Sequence, residues 1–220
     1  MTTAPTEPGN RLDRRKARTR SALIRAAQTL IAEGRTNVPV LEITQAADVG
    51  MGSFYNHFET KEQLFDAAVE AVMDAYGQLL DRVTGEIDDP AEVFAASFRL
   101  TGRLHRREPE LSKVLLNNAL QLLSAPNGLA PRARRDIDAA TEAGRFDVTD
   151  LDVAVTMAAG ALLALGHLLH DQPERDVDDT TDRVTEDLLR MFGMTRRQAQ
   201  RIASLPLPEL DAAPADGSPA

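Results

Sequence analysis

The sequence predicts an all-α fold of nine to ten helices: an N-terminal three-helix unit with a helix-turn-helix layout, then a larger C-terminal helical domain. Three observations lead there. Apolar residues recur at three- and four-residue spacing along most of the chain, the period of one helix face. Val and Ile never alternate with polar residues over five or more positions, so no strand is expected. The punctuation is that of helix ends, with Asp, Thr and Pro at starts and Gly at stops. The expected organisation is a disordered lead over residues 1–10, the helix-turn-helix unit over 11–58, the helical domain over 59–205 and a disordered tail over 206–220.

Each element has a local reason. Asp13 is the expected N-cap of a first helix running to Glu33. Leu23, Ala27 and Leu30, flanked by Ile24 and Ile31, share one face, and Gly34 ends it. A short second helix is expected from Pro39, a residue suited to a first helical position, to about Ala47. Asp48-Val49-Gly50 is a tight turn, and a third short helix covers Met51 to His57. Thr60-Lys61-Glu62-Gln63 has the spacing of a capping box. It opens a long helix carrying Leu64, Ala68, Val72, Leu79 and Leu80. The pattern restarts at Asp89-Pro90, an N-cap followed by a first-turn proline. Further starts are expected near Glu108-Pro109, Ala130-Pro131, Thr149 and Asp178. Gly193 closes the helix Thr180 to Phe192, and Thr195-Arg196-Arg197-Gln198 opens a last short one. Leu151 to Leu169 is nearly all Ala, Leu, Val, Met and Gly. A helix apolar all round is buried on most faces, which fits core packing plus a helix–helix seam between subunits. The lead and tail are Pro-rich with small or polar residues and lack material for a core.

Composition narrows the function. There is no Cys, which excludes disulfides, thiolate metal sites and thiol catalysis. No apolar run reaches about 18 residues without a charge or polar break, so no membrane span is expected. Met1 to Asn10 lacks the apolar centre of a secretory signal, and the expected compartment is the cytoplasm. The net charge of −9 is unevenly spread. Residues 1–61 hold nine Lys/Arg against six Asp/Glu, and six of those bases fall between Arg11 and Arg20. The remainder is strongly acidic. Such asymmetry separates a part that meets an anion from a part that does not. No nucleophile–base pair at helical spacing, phosphate loop or metal cluster is visible. Neither an enzyme nor a cofactor is therefore expected, and a helical small-molecule-binding protein or enzyme is the weaker alternative.

Two short helices joined by a three-residue turn behind a basic helix form the helix-turn-helix layout. Ile43, Ala46, Val49 and Phe54 are its expected small core, with Thr44 structural. Asp48 stands where the chain reverses, and Asp tolerates the left-handed conformation this needs. Gly50 then serves as N-cap. The following helix displays Met51, Gly52, Ser53, Tyr55, Asn56 and His57, with backbone N–H groups at Gly52 and Ser53 facing phosphate. Ser53, Asn56 and His57 suit bases or phosphates, and the Tyr55 hydroxyl suits a phosphate. Lys61 reaches the same backbone. Arg11, Arg14, Arg15 and Arg18 form an arm for neighbouring phosphates or a minor groove. Phe58 is expected in the core.

The stretch from Leu41 to Phe65, with Gly52-Ser-Phe-Tyr-Asn-His-Phe58 and then Thr60-Lys-Glu-Gln-Leu64 at its centre, resembles the signature of TetR-family transcriptional regulators. The close resemblance covers residues 11–66. It implies an all-α homodimer binding a palindromic operator in double-stranded DNA, and a C-terminal pocket for a small molecule that relieves repression. The usual dimer seam would fall at about 150–170 and 177–192. The resemblance assigns DNA contacts to Ser53, Tyr55, His57 and Lys61, with Met51 and Gly52 at the groove-facing helix start. Three departures stand out: Pro39 in place of a phosphate-binding Thr, Leu41 in place of a polar residue, and Asp48 and Gly50 in the turn. Arg35, Thr36 or Asn37 are the expected compensators, and Met51 suits a thymine methyl.

For the effector pocket the expected lining is Phe94, Phe98, Leu115, Ala119, Leu122, Met157 and Leu163, and the expected effector is small and lipophilic. A constitutive, ligand-blind regulator is the alternative. His167, His170 and Asp171 carry metal-ligand spacing, but helix C-terminal histidines favoured by the dipole explain them as well, and no metal site is expected. His105 is expected at the surface. Arg132, Arg134 and Arg135 are expected on a solvated face, with an anionic effector as one use for them.

Overall fold

The computed structural model describes residues 9–117 and 127–210, and among them the chain forms ten helices. They are α1 (Gly9–Ala32), α2 (Val40–Ala46), α3 (Met51–Tyr55), α4 (Lys61–Val83), α5 (Pro90–Arg107), α6 (Pro109–Asn117), α7 (Leu129–Glu142), α8 (Leu151–Asp171), α9 (Val177–Met191) and α10 (Arg196–Ala203). No strand occurs among the described residues. Two compact units divide the chain, Met1–Val72 and Met73–Ala220. The division falls inside α4, later than the boundary after Phe58 that the motif spacing predicts.

In the first unit α1 begins at Gly9, four residues before the expected cap at Asp13, so the basic run is helical throughout. It buries Leu23, Ala26, Ala27, Leu30 and Ile31. Gly34 ends it at φ 70°, and the N–H of Arg35 returns to the Leu30 carbonyl, the six-to-one bond of a left-handed helix end. α2 and α3 add Ile43 and Phe54, both fully buried, with Val38 and Phe58 close behind. Ala46 is exposed, against expectation. Thr44 is buried instead, its hydroxyl donating to the Leu41 carbonyl at 2.9 Å. On so short a helix a shift of two positions turns the inward face, and a hydroxyl satisfied by its own turn buries cheaply.

In the second unit α5 is the central helix and packs against α6, α7, α8, α9 and α10. Phe94, Phe146 and Phe192 form a triangle with centroids 5.2–5.8 Å apart. Such tilted and edge-on ring pairs add to the gain from area burial. Around them lie Ala91, Ala95, Ile137, Ala140, Ala154, Leu188 and Ile202. Gly193 ends α9 at φ 95°, where an added Cβ would sit 2.7 Å from that of Asp147. This close approach lets the Asp147 N–H reach the Phe192 carbonyl. The caps are local: Asp89, Asp150 and Asp176 accept from Ala91, Val153 and Asp179, and Thr195 and Gln198 form a reciprocal capping box. The caps of α8 and α9 thus lie one and two residues from the expected Thr149 and Asp178.

Ion pairs tie the helices together. Arg99, only 4% exposed, holds Asp182 of α9 through Nε and Nη2 at 2.8 and 3.0 Å and donates to the Leu205 carbonyl at 2.6 Å. Arg103 pairs with Asp178 and Asp182. Beyond Leu205 the chain is non-helical to Leu210, with Leu207 and Pro208 half-buried. The rest of the expected tail, and residues 1–8 of the expected lead, lie outside the described residues.

α8 is the one described helix long and apolar enough, by length and composition, to cross a membrane. It has polar breaks at Asp152, Thr156, His167 and His170. One face is buried through Ala154, Val155, Ala158, Leu165 and Leu169. The other leaves Val153 and Met157 exposed, with Gly160 and Ala164.

Candidate functional site

The turn of the first unit takes the shape its residues dictate. Asp48 is the one non-glycine residue at positive φ, 52°, among the described residues, and Gly50 takes the extended N-cap conformation before α3. α3 is anchored through Phe54, whose ring meets those of Tyr55 and Phe58 at 5.2 and 6.1 Å. Phe58 is buried, and the guanidinium of Arg20 lies over its ring at 5.3 Å. With Phe54 and Phe58 inward, Tyr55 and Asn56 between them face solvent. Tyr55 is 60% exposed and Met51 44%. Gly52 and Asn56 are exposed, and Ser53, His57 and Lys61 are half-buried. A Cβ on Gly52 would meet nothing within 4 Å, so the fold does not require glycine there. Arg11, Arg14, Arg15 and Arg18 are all exposed.

Two cations behind this surface have different surroundings. Arg35 is paired with Glu33 and Glu42, so its charge is neutralised locally. Lys61 instead donates to the Asn37 amide oxygen at 2.9 Å. The start of α4 is capped by Thr60, which accepts from the Gln63 N–H, while the Gln63 side chain accepts from Glu59.

The second unit holds a cavity of about 110 Å³ among α4, α5, α6, α7 and α8. Phe94, Phe98, Leu115 and Leu163 line it as expected, with Met73, Leu80, Val155, Ala158 and Leu162. Met157 does not. It lies on the opposite face of α8 and is 42% exposed, since a residue one position before Ala158 is turned about 100° away. Ala119 and Leu122 lie outside the described residues.

The cavity has a polar edge. Arg132 is not on a solvated face. It lines the cavity and donates to Asp74, Asp81 and the Gly128 carbonyl at 3.0, 2.8 and 2.8 Å. Arg135 bridges Asp81 and Asp136, while Arg134 is exposed and pairs with Asp152. Burial pushes the Asp81 carboxyl upward, but Arg132 and Arg135 together bring it below its ordinary value. Asp136 goes the other way. It is 6% exposed, and burial outweighs Arg135 and holds its carboxyl above the usual range. Its Oδ1 takes the Arg135 guanidinium, and its Oδ2 has no partner among the described residues. Sequence reasoning missed Asp81 and Asp136. Nothing local marks Asp81, whose arginine partners lie 51 and 54 residues away; Asp136 pairs with its neighbour Arg135, and its burial is decided by the packing of α7 against other helices.

His105 is also not at the surface. It is 3% exposed, in space that Gly166 leaves open: a Cβ there would come 2.5 Å from the ring. Nε2 lies 3.1 Å from the Leu162 carbonyl and Nδ1 2.6 Å from Ser112 Oγ, which lies 2.9 Å from His170 Nε2. A carbonyl only accepts, so His105 donates through Nε2, Ser112 donates to Nδ1, and His170 donates to Ser112. Burial pushes the His105 pKa down to about 4, in keeping with a neutral ring. No cluster of three or more metal-ligating side chains occurs among the described residues.

Comparison with known proteins decides the family. The profile "Bacterial regulatory proteins, tetR family" matches residues 23–68, and "Tetracyclin repressor-like, C-terminal domain" matches residues 89–205, more than half of the chain. The chain belongs to the TetR family of DNA-binding transcriptional regulators. Among solved structures, RolR without ligand is similar at 36% identity and a TM-score of 0.74, covering 87% of this chain and 100% of that one. RolR in complex with resorcinol is similar at 36% identity and a TM-score of 0.69, covering 90% and 99%. The transcriptional regulator TcmR of Streptomyces glaucescens is 33% identical over 136 residues, 60% of this chain and 59% of that protein. The transcriptional repressor KstR2 of Mycolicibacterium smegmatis is 29% identical over 106 residues, 46% and 48%. This TetR-family chain thus spans about half the length of the curated relatives it matches.

Proposed function

We propose that the chain is a homodimeric repressor that binds a palindromic operator and releases it when a small hydroxylated aromatic ring enters the cavity. The DNA surface is Met51, Gly52, Ser53, Tyr55, Asn56, His57 and Lys61, with Arg11, Arg14, Arg15 and Arg18 on flanking phosphates. The observation that carries this is the orientation of α3: Phe54 and Phe58 are buried, while Tyr55 and Asn56 between them are exposed and His57 is half-buried. An acidic body keeps the rest of the molecule off the polyanion, and action is in the cytoplasm.

The dimer seam is the outer face of α8 with that of α9. Val153, Met157, Gly160 and Ala164 repeat at four, three and four residues, the spacing of a helix–helix seam. The seven large exposed apolar residues among the described ones fall into two sets. Leu12, Leu41, Met51 and Tyr55 lie in the first unit; Val153, Met157 and Met191 lie on α8 and α9. Exposed apolar stripes of this kind mark interaction sites.

Three observations support the effector class. An engineered apolar cavity of roughly 150 Å³ holds benzene, so this one is of single-ring size. The second oxygen of Asp136 offers an acceptor for a hydroxyl at the polar edge of a mainly apolar cavity. The similar protein RolR is described in complex with resorcinol. The cavity also favours a ligand-responsive regulator over a constitutive one. In mechanism, a hydroxyl at Asp136 competes for Arg135, which bridges Asp136 to Asp81 of α4. Reading heads must sit one DNA turn apart, about 34–36 Å, and the ligand must favour the misfit conformer by several kcal/mol.

The test is fluorescence anisotropy on the DNA upstream of the chain's own coding sequence, with and without resorcinol. Tight, salt-sensitive binding that Tyr55→Ala or Lys61→Ala weakens, and that resorcinol reverses, supports the proposal. Wild-type binding no tighter than to random duplex overturns the operator reading. Operator binding indifferent to resorcinol and to other dihydroxybenzenes overturns the effector class.

A further inference from the structure

The segment between α1 and α2 makes one long-range polar contact, the bond from Lys61 Nζ to Asn37 Oδ1, across 24 residues at 2.9 Å. The amide must present its oxygen, because its NH₂ would meet an ammonium with no acceptor. Its two N–H donors therefore face away from Lys61 and have no partner among the described residues. Lys61 keeps two further donors and has no carboxylate ion pair among those residues. The contrast with Arg35, held between Glu33 and Glu42, is direct. A carboxylate orients a cation by cancelling it, whereas a neutral amide orients it and leaves its charge intact. Meanwhile α2 opens on Pro39, which has no N–H and no side-chain cap bond.

We propose that Asn37 and Lys61 form a clamp for one backbone phosphate of duplex DNA. Asn37 fixes the Lys61 ammonium through its oxygen and offers its N–H donors to the same phosphate. Asn37 is a positioning residue for Lys61 as well as a ligand to the anion. The clamp rests on the reading that this face of the first unit meets DNA.

A phosphate contact is independent of sequence, so the test uses the full chain and a random-sequence DNA duplex. Affinity is measured between about 50 and 200 mM salt for wild type, Asn37→Ala, Lys61→Ala and the double variant. Lys61→Ala flattens the plot of log affinity against log salt by about 0.9, the value for one phosphate contact. Asn37→Ala keeps the charge and hence the slope, but weakens binding about two- to fivefold, the worth of one ordinary hydrogen bond. In the Lys61→Ala background it costs less than in wild type, because only its own bond to the phosphate is then lost, and a double-mutant cycle reads the difference as coupling. Both side chains are solvent-accessible, and helical circular dichroism checks that the variants fold. Asn37→Ala indistinguishable from wild type, or equally harmful with and without Lys61, overturns the clamp. Lys61→Ala leaving slope and affinity unchanged overturns the DNA role of Lys61 itself, a different failure.

Discussion

The guanidinium of Arg132 lies where a side chain at Gly77 would stand: a Cβ there would come 2.6 Å from Nη1 and 2.7 Å from Cζ. Glycine on α4 therefore lets an arginine of α7 cross the helix and reach Asp74 and Asp81, one turn to either side.

This relationship predicts an inverted helix-propensity effect. Gly→Ala inside a helix ordinarily gains about 1 kcal/mol. Gly77→Ala must instead push Arg132 off two carboxylates and the Gly128 carbonyl, so a net loss of about 1–2 kcal/mol is expected. Urea unfolding measures it. A variant more stable than wild type would show that Arg132 moves aside at no cost and that the bridge contributes little.

The His105 ring predicts a stability window in pH. Its pKa is about 4 in the folded chain against an ordinary 6.5, so the unfolded chain takes the proton first as pH falls. Stability present above pH 6.5 is lost progressively down to about pH 4, by about 3 kcal/mol in full. Asp136 acts with the opposite sign. Burial raises its folded pKa, so the folded chain binds that proton first and offsets part of the loss at the acid end. Urea midpoints at about pH 7.5, 6 and 5 measure the slope. His105→Gln, which keeps a donor and an acceptor, should be flatter across this range. Parallel curves for variant and wild type would place the pH dependence elsewhere.

These two sites show where sequence reasoning reached and where it stopped. Asp48, Gly34 and Gly193 were legible because each conformation is decided within one turn of chain, and the Thr195 capping box for the same reason. The face of α3 was legible because Phe54 and Phe58 lie four apart and fix which side goes inward. His105, Arg132 and Asp136 were not. A titratable residue on a helix is buried or exposed according to what another helix brings to it: the Leu162 carbonyl meets His105 from 57 residues away, and Asp81 and Asp74 meet Arg132 from 51 and 58. Leu163 and Met157 show the limit within one element. An all-apolar helix offers no polar face by which to orient it, so its sequence does not separate Leu163, which lines the cavity, from Met157, which faces outward.

Arg99 gives a prediction for the body of the second unit. Removing one partner of a buried ion pair costs about 3–5 kcal/mol. Asp182 is 29% exposed in its side chain and retains Arg103, so the lower end of that range is expected for Arg99→Ala. Arg99→Lys cannot reproduce the two-pronged hold on Asp182 together with the Leu205 carbonyl and should recover only part. Thermal and urea unfolding of both variants test this. An Arg99→Ala variant within about 0.5 kcal/mol of wild type, the range of an ordinary surface change, would show that the pair adds nothing net.

The outer face of α8 predicts the oligomeric state. Met157 is exposed on a helix whose most apolar stretch is only one-third buried within the chain. Val153 lies one turn before it, and Gly160 and Ala164 follow one and two turns on. A Cβ at Gly160 would meet nothing within 4 Å, room in which a second helix could pack closely. If that second helix is the same element of another copy, Met157→Glu places two carboxylates near one apolar seam. Light scattering should then report a dimer for wild type and a monomer for the variant, with helical content unchanged. Operator affinity should fall with it, because one head alone spans half a palindrome and loses the contribution of the linked second site. A Met157→Glu chain that remains dimeric at micromolar concentration would move the seam off this face. In that case Val153 and Met157 would need another partner to explain their exposure.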